Sequence, residues 1–315
     1  MLHGPQIPFQ PNARMPDERV TVLDPRGAAL RLFQGTVEQL YTGCRWAEGP
    51  VWFGDGRYLL WSDIPANRIL RWDETNGVVS EYRNPSNHAN GNTRDHLGRL
   101  ISCEHLTRRI TRTEWDGRIS VLADRYQGKR LNSPNDIVCQ RDGTIWFTDP
   151  AFGISGWFEG EPAVPELPES FYRLSADGEL RCMDASLAAP NGLAFSPDEK
   201  RLYVIDSKST PHRQLLAYDV DGAQLKNRRV LYSADDGGQL DGFRLDTAGN
   251  LWCGYGGSEA TNGVRVLAPD GTPLLHIHLP ERCANLCFGG ARKNRLFMAS
   301  SHSLYALHVN AQGAL

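Results

Sequence analysis

Short apolar runs alternate with Gly- and Asp-containing turns along most of the chain, and the alternation recurs six times. In each segment a polar residue leads an apolar run, a turn follows, and a second apolar run comes after it. Glu48, Asn90, Asn135, Asn191, Asp241 and Asn285 hold the leading position. Their successive separations are 42, 45, 56, 50 and 44 residues, the range in which four-stranded propeller blades repeat. The pattern predicts an all-β fold, a six-bladed β-propeller, with each repeat a meander of about four strands. Asp116-Gly117 and Asp270-Gly271 mark hairpins within it, because Gly accepts the positive φ of a tight turn.

The sixth repeat offers only three apolar runs, one strand short. Thr36-Val37-Glu38-Gln39-Leu40-Tyr41 has strand composition and precedes the first repeat. This N-terminal strand is expected to join the last blade and close the ring, removing exposed sheet edges. Residues 1–35, with Pro5, Pro8, Pro11, Pro16 and Pro25 and little periodicity, are expected as an extended arm, leaving 36–315 as one propeller domain. The longest separation comes from a Gly-, Pro- and Glu-rich insertion after Pro150, expected as a lid over one face. Trp61, Trp146 and Trp252 recur in second strands and are expected to fill the space between blades.

Composition narrows the function classes. The 31 Gly and 19 Pro suit a turn-rich β fold, and the 40% apolar content suffices for a core spread between blades. A formal charge of −3 without a basic stripe gives nucleic acid no electrostatic reason to bind. No stretch reaches the apolar length of a membrane span, and MLHGPQIPFQ lacks the character of an export signal, so a cytoplasmic chain is expected. Seven cysteines without a CxxC pair sit mostly in apolar runs and are expected reduced and structural; a Cys283–Cys287 disulfide is the weaker alternative. A monomer or weak dimer is expected.

In a propeller the first strand of every blade lines the central channel, so the leading polar residues become neighbours. Glu48, Asn135, Asn191 and Asp241 then offer two carboxylates and two amide carbonyls, hard oxygen donors that suit Ca²⁺, with Mg²⁺, Mn²⁺ and Zn²⁺ as alternatives. Four protein ligands leave coordination positions open for water and substrate, and an ion so held acts as a Lewis acid on a carbonyl. The plainer reading is that Asn-Gly and Asp-Gly pairs are turn formers, or that a calcium merely pins the blades together.

The motifs Trp46-Ala47-Glu48-Gly49-Pro50-Val51-Trp52, Ser133-Pro134-Asn135-Asp136, Trp146-Phe147-Thr148-Asp149-Pro150, Pro190-Asn191-Gly192-Leu193-Ala194-Phe195-Ser196-Pro197-Asp198 and Asp241-Gly242-Phe243-Arg244-Leu245-Asp246 resemble the SMP-30/gluconolactonase/LRE family, most of all its bacterial gluconolactonases. The resemblance implies a six-bladed propeller with a central divalent metal that hydrolyses sugar lactones, D-glucono-1,5-lactone or a related aldonolactone. It implies Glu48, Asn191 and Asp241 as metal ligands, Asn135 as ligand or substrate contact, and Asp241 as general base. Leu240 stands where Pro often precedes that Asp, and Ala284 where Thr is common before the last Asn. A metal-bound carboxylate is a weak base, so His88, His105 and His302 stand as alternatives, and Asn90 and His105 are expected substrate contacts. Arg130 reads as a loop residue that steadies a polar substrate or is simply solvated. No nucleophile elbow, P-loop or H-E-x-x-H motif is present. Hydrolysis of other esters or organophosphates, and a binding scaffold with a structural calcium, are the competing functions.

Overall fold

The computed structural model describes residue 10 and residues 14–314. Six antiparallel sheets of four or five strands follow one another as blades, each running outward from an inner first strand, and a small hairpin, Arg125–Tyr126 with Lys129–Arg130, stands apart from them. The inner strands are Ala47–Phe53, Ala89–Arg94, Ile137–Cys139, Pro190–Phe195, Phe243–Leu245 and Cys283–Gly289. They touch one another in a closed ring, the last against the first. The expected six-bladed propeller is therefore present.

Closure is as the repeat arithmetic requires. Glu38–Thr42 pairs with Ser303–His308, with Glu38 opposite Ala306 and Thr42 opposite Ser303, and so becomes the outer strand of the last blade. The two ends of the chain are stitched together by backbone hydrogen bonds, and the ring has no free edge at the joint. A second N-terminal strand was not foreseen. Val20–Val22 adds a fifth strand to blade five, Val20 opposite Ile277, followed by a short 3₁₀ turn at Pro25–Leu30 that Asp24 caps. Three residues are too few for periodicity to reveal. Pro5, Pro8 and Pro11 of the expected arm lie outside the described residues.

Aromatic side chains fill the wedges between blades. Trp61, Trp146 and Trp252 are fully buried. Trp146 meets Phe195 of the next blade with centroids 5.5 Å apart, Trp252 meets Phe288 at 5.4 Å, and Trp61 meets Tyr41 of the closing strand at 5.7 Å. Edge contacts of this kind add to the burial that drives the blades together. All seven cysteines are free. Cys283 and Cys287 lie on one strand, too far apart along it to bridge. Among the described residues, no helix is long and apolar enough to cross a membrane.

The plainer alternative, Asn-Gly as a turn former, does not hold at two of the leading positions. Asn90-Gly91 and Asn191-Gly192 are not turns: both lie within first strands. Pairing slips there, between Ala89 and Asn92 and between Pro190 and Leu193, as it does between Glu48 and Val51. Such irregularities re-aim a side chain. The glycine serves close approach between blades: a Cβ on Gly91 would run into the Asn135 carbonyl, one on Gly192 into that of Asp241. Gly91 N instead donates to Asn135 O at 2.8 Å, and Gly242 N to Ala284 O at 2.7 Å. Neighbouring blades are thus pinned backbone to backbone beside Asn90 and Asp241.

Candidate active site

The leading residues of five blades end at one mouth of the channel. Glu48, Asn90, Asn135, Asn191 and Asp241 all line a cavity of ≈ 340 Å³ there. The sixth, Asn285, lies beneath them: its side chain packs on Gly242 and hydrogen-bonds Glu48, and its Oδ1 accepts from Leu286 N at 2.8 Å. The hub is polar, not packed hydrocarbon. Asp136 and Arg244 form a two-armed ion pair at 3.1 Å on each arm. Arg244 also lines a separate cavity of ≈ 540 Å³, walled by the later residues of the first strands.

Glu48 carries the site's electrostatic tension. It is buried, and Gly49 N donates to its Oε2 at 2.7 Å. Burial pushes its carboxyl well above the usual range, with the charges of Asp241 and Asp136 adding to the push. No ion pair with a cation relieves it among the described residues, whereas Asp136 has Arg244 and Asp241 has Arg282. Burial also raises Asp241, against the pull of Arg282 and Arg213 and a hydrogen bond from Asn191. Two desolvated carboxylates in one pocket are costly without a counter-charge.

That imbalance is what a divalent cation would cancel, and the donor chemistry agrees. Among the described residues, no group of three or more His, Cys, Asp or Glu side chains gathers as a metal cluster. Any cation at the hub would therefore need the amide oxygens of Asn135 and Asn191 beside the two carboxylates. Such an all-oxygen set of low charge suits a hard ion. The residues present fit the metal that the resemblance implies.

His105 lies behind this layer. It is fully buried and does not line the cavity, so its expected substrate contact has no direct path. Its Nε2 is 3.3 Å from Asn90 Nδ2 and its Nδ1 is 3.2 Å from Glu159 O. The neutral tautomer with the proton on Nδ1 satisfies both, donating to the carbonyl and accepting from the amide. Burial lowers its pKa to about 4, so the ring is neutral near pH 7. His302 sits 3.3 Å from Glu281, and neither it nor His88 lines the cavity.

The insertion after Pro150 forms part of the cavity wall. Phe152, Ser155, Gly156, Phe158 and Glu159 line it. Gly153 N donates to Ser133 Oγ at 2.9 Å, Asn132 Nδ2 to Leu167 O at 3.1 Å, and Arg130 N to Glu166 Oε2 at 3.0 Å. Arg130 therefore braces the insertion and points its guanidinium to Thr107 O at 3.2 Å rather than into the site. Burial and the charge of Asp241 raise the Glu159 carboxyl to about 7.

Several lining residues escaped the sequence reading. Glu159 belongs to an insertion without periodicity. Ser207, Lys208 and Arg213 come from one connection in blade four. Arg282, three residues before Asn285, donates from Nη2 to Asp241 Oδ2 and from Nη1 to Gln239 Oε1 at 2.7 Å. A cation just ahead of the last leading residue was the one signal available for it.

Comparison with known proteins agrees with this geometry. The family model described as "SMP-30/Gluconolactonase/LRE-like region" matches residues 46–302. A gluconolactonase of Zymomonas mobilis is 33% identical over 94% of this chain and 87% of its own length. A solved structure from Xanthomonas campestris, described as a gluconolactonase, is 41% identical with a TM-score of 0.85, covering 92% of this chain and 94% of that one. Regucalcin of Macaca fascicularis is 29% identical over 81% of this chain and 83% of its own. With the family model covering most of the propeller and the hub residues gathered as its motifs imply, the chain belongs to the SMP-30/gluconolactonase/LRE-like family.

Proposed function

We propose that the protein is a lactonase that opens a sugar lactone to its aldonic acid, with one divalent ion, Ca²⁺ first, held by Glu48, Asn135, Asn191 and Asp241. The observation that carries the reading is that Glu48 and Asp241 share one buried pocket while Glu48 has no cation of its own. The gluconolactonase names of the similar proteins supply the reaction class.

When bound, the ion supplies Lewis-acid polarisation of the ester carbonyl and lowers the pKa of water. The chain's own residues do the rest. Asp241 takes the proton of the attacking water on its carboxylate and returns it to the ring oxygen as the acyl C–O bond breaks, with Arg282 fixing the carboxylate's orientation through Oδ2. Burial lifts the proton affinity of Asp241 and Arg282 restrains it. Asn90, held by His105, presents an amide to the substrate hydroxyls. Phe152 and Phe158 of the insertion narrow the mouth and exclude bulk water.

The test is hydrolysis of D-glucono-1,5-lactone by purified protein before chelation, after it, and after adding back Ca²⁺, Mg²⁺, Mn²⁺ or Zn²⁺, with metal content measured in parallel. Loss and return of turnover is expected. Unchanged turnover in protein shown to be metal-free, with only the melting temperature lowered, would move the ion to a structural role.

A further inference from the structure

The cavity is lined by three acids, Glu48, Glu159 and Asp241, and three bases, Lys208, Arg213 and Arg282, but they are not all paired with one another. Arg282 is matched by Asp241. The connection between the second and third strands of blade four, residues 207–213, adds Ser207, Lys208 and Arg213 to the lining and no acid. It is a built loop. Asp206 Oδ1 accepts from Ala189 N at 2.9 Å, and Ser209 Oγ lies 3.0 Å from Asp206 O and 2.8 Å from His212 O.

Each of the three groups is a donor without an anionic acceptor. Ser207 Oγ is buried and has no hydrogen-bond partner. Arg213 gives one hydrogen bond, from Nη1 to Leu240 O at 3.2 Å, and Lys208 has only the Phe152 ring, 5.2 Å from its Nζ. Neither forms an ion pair with a carboxylate among the described residues. Burial pulls Arg213 below its usual range, Arg282 adds repulsion, and the more distant charge of Asp241 offsets only part of this. A neutral sugar would satisfy the hydroxyl but leave two cations without a direct ion pair at a partly desolvated wall. An oxyanion satisfies all three, because its oxygens accept from N–H⁺ and O–H donors alike.

We propose that Ser207, Lys208 and Arg213 form a subsite for an anionic substituent carried away from the ring ester, so that the substrate is an acidic aldonolactone bearing a carboxylate, phosphate or sulfonate. The proposal rests on the lactonase reading for the reaction and on the blade-four loop for the charge.

The experiment compares kcat/KM for D-glucono-1,5-lactone, its 6-phosphate and D-glucaro-1,4-lactone, using the full chain with its activating ion. At least one acidic lactone is expected to exceed the neutral one by about tenfold, the gain of an ion pair or two at a half-buried site. The phosphate and carboxylate arms identify which oxyanion fits. That ratio is expected to fall in Arg213→Gln, which keeps a donor for Leu240 O, to invert in Lys208→Glu, and to persist in Lys208→Arg. It also shrinks as salt rises. A wild-type ratio at or below one, or a ratio unmoved by Lys208→Glu, overturns the subsite while leaving the lactonase reading intact. If no lactone is turned over, the lactonase reading fails instead. Calorimetric binding of 6-phosphogluconate against gluconate then decides the subsite, with about tenfold tighter binding of the phosphate expected and equal binding overturning it.

Discussion

Arg282 and Asp241, 41 residues apart in sequence, form a partly buried ion pair at the rim of the hub cavity, with the guanidinium's other arm on Gln239 Oε1 at 2.7 Å. The pair ties blade six to the loop that opens blade five and sets the direction in which Asp241 faces the cavity. It also places a fixed positive charge beside a residue proposed to hold a cation.

Arg282→Ala is therefore expected to separate catalysis from metal binding. Losing the orienting partner of a reacting carboxylate costs on the order of 10²-fold in kcat/KM. Metal affinity is expected to hold or rise, because a neighbouring positive charge has gone. Initial rates and a metal titration on the same sample check both halves.

Glu48→Gln is expected to stabilise metal-free protein and to abolish stabilisation by calcium. Removing a buried charge that lacks a cation gains roughly 1–2 kcal/mol, which for a chain of this size is a few degrees in Tm. Wild type gains stability with added ion by mass action while the variant gains none. Thermal melts with chelator and with calcium make the comparison; a variant less stable than wild type in chelator would contradict it.

Gly242→Ala tests the close approach at the hub. The added methyl has to enter the space of the Asn285 amide that supports Glu48. Overpacking of this kind costs about 1–3 kcal/mol or more, and turnover is expected to fall with it. Gly117→Ala, at an open hairpin with φ of 84° and nothing near its Cβ, is expected to lose about 1 kcal/mol from backbone strain alone and to keep its activity. Urea denaturation and initial rates distinguish the two.

His105 gives a pH signature. Its folded pKa of about 4 lies below the unfolded value of 6.5. Above pH 6.5 it is neutral in both states; as pH falls from 6.5 toward 4 the unfolded chain takes the proton first, so its contribution to stability is lost across that window. The full loss is on the order of 3 kcal/mol. Glu159, raised to about 7, acts oppositely, adding stability as pH falls from 7 toward 4.5. The difference between wild type and His105→Gln isolates the histidine: relative to the variant, wild type loses unfolding free energy as pH falls from 6.5 to 4. Parallel curves would refute it.

Thiol accessibility follows from the wedge packing. Cys44, Cys103, Cys253, Cys283 and Cys287 are buried, and burial raises each thiol, Cys287 to about 12. Cys139 and Cys182 are half-buried. Native protein is expected to react slowly with a thiol reagent, at those two first, and unfolded protein to react at all seven.

The recurrence of a polar residue ahead of paired apolar runs was enough to determine the number of blades, the closing strand and five of the residues lining the hub cavity, because blade strands pair with their sequence neighbours and periodicity is a local signal. Asn90 and Asn191 are legible as positions, with an Asn-Gly turn as the plainer alternative; the close approach between blades that their glycines serve has no signature in one chain's spacing. Arg282, Glu159 and the Ser207–Arg213 loop became visible only in three dimensions, since each reaches the cavity from a connection whose path depends on what it packs against. His105 moved the other way, from expected contact to buried support, because burial is a property of the assembled blades. Local hydrogen bonding determined the wheel; only the packing of distant loops over its hub decided which charges meet there.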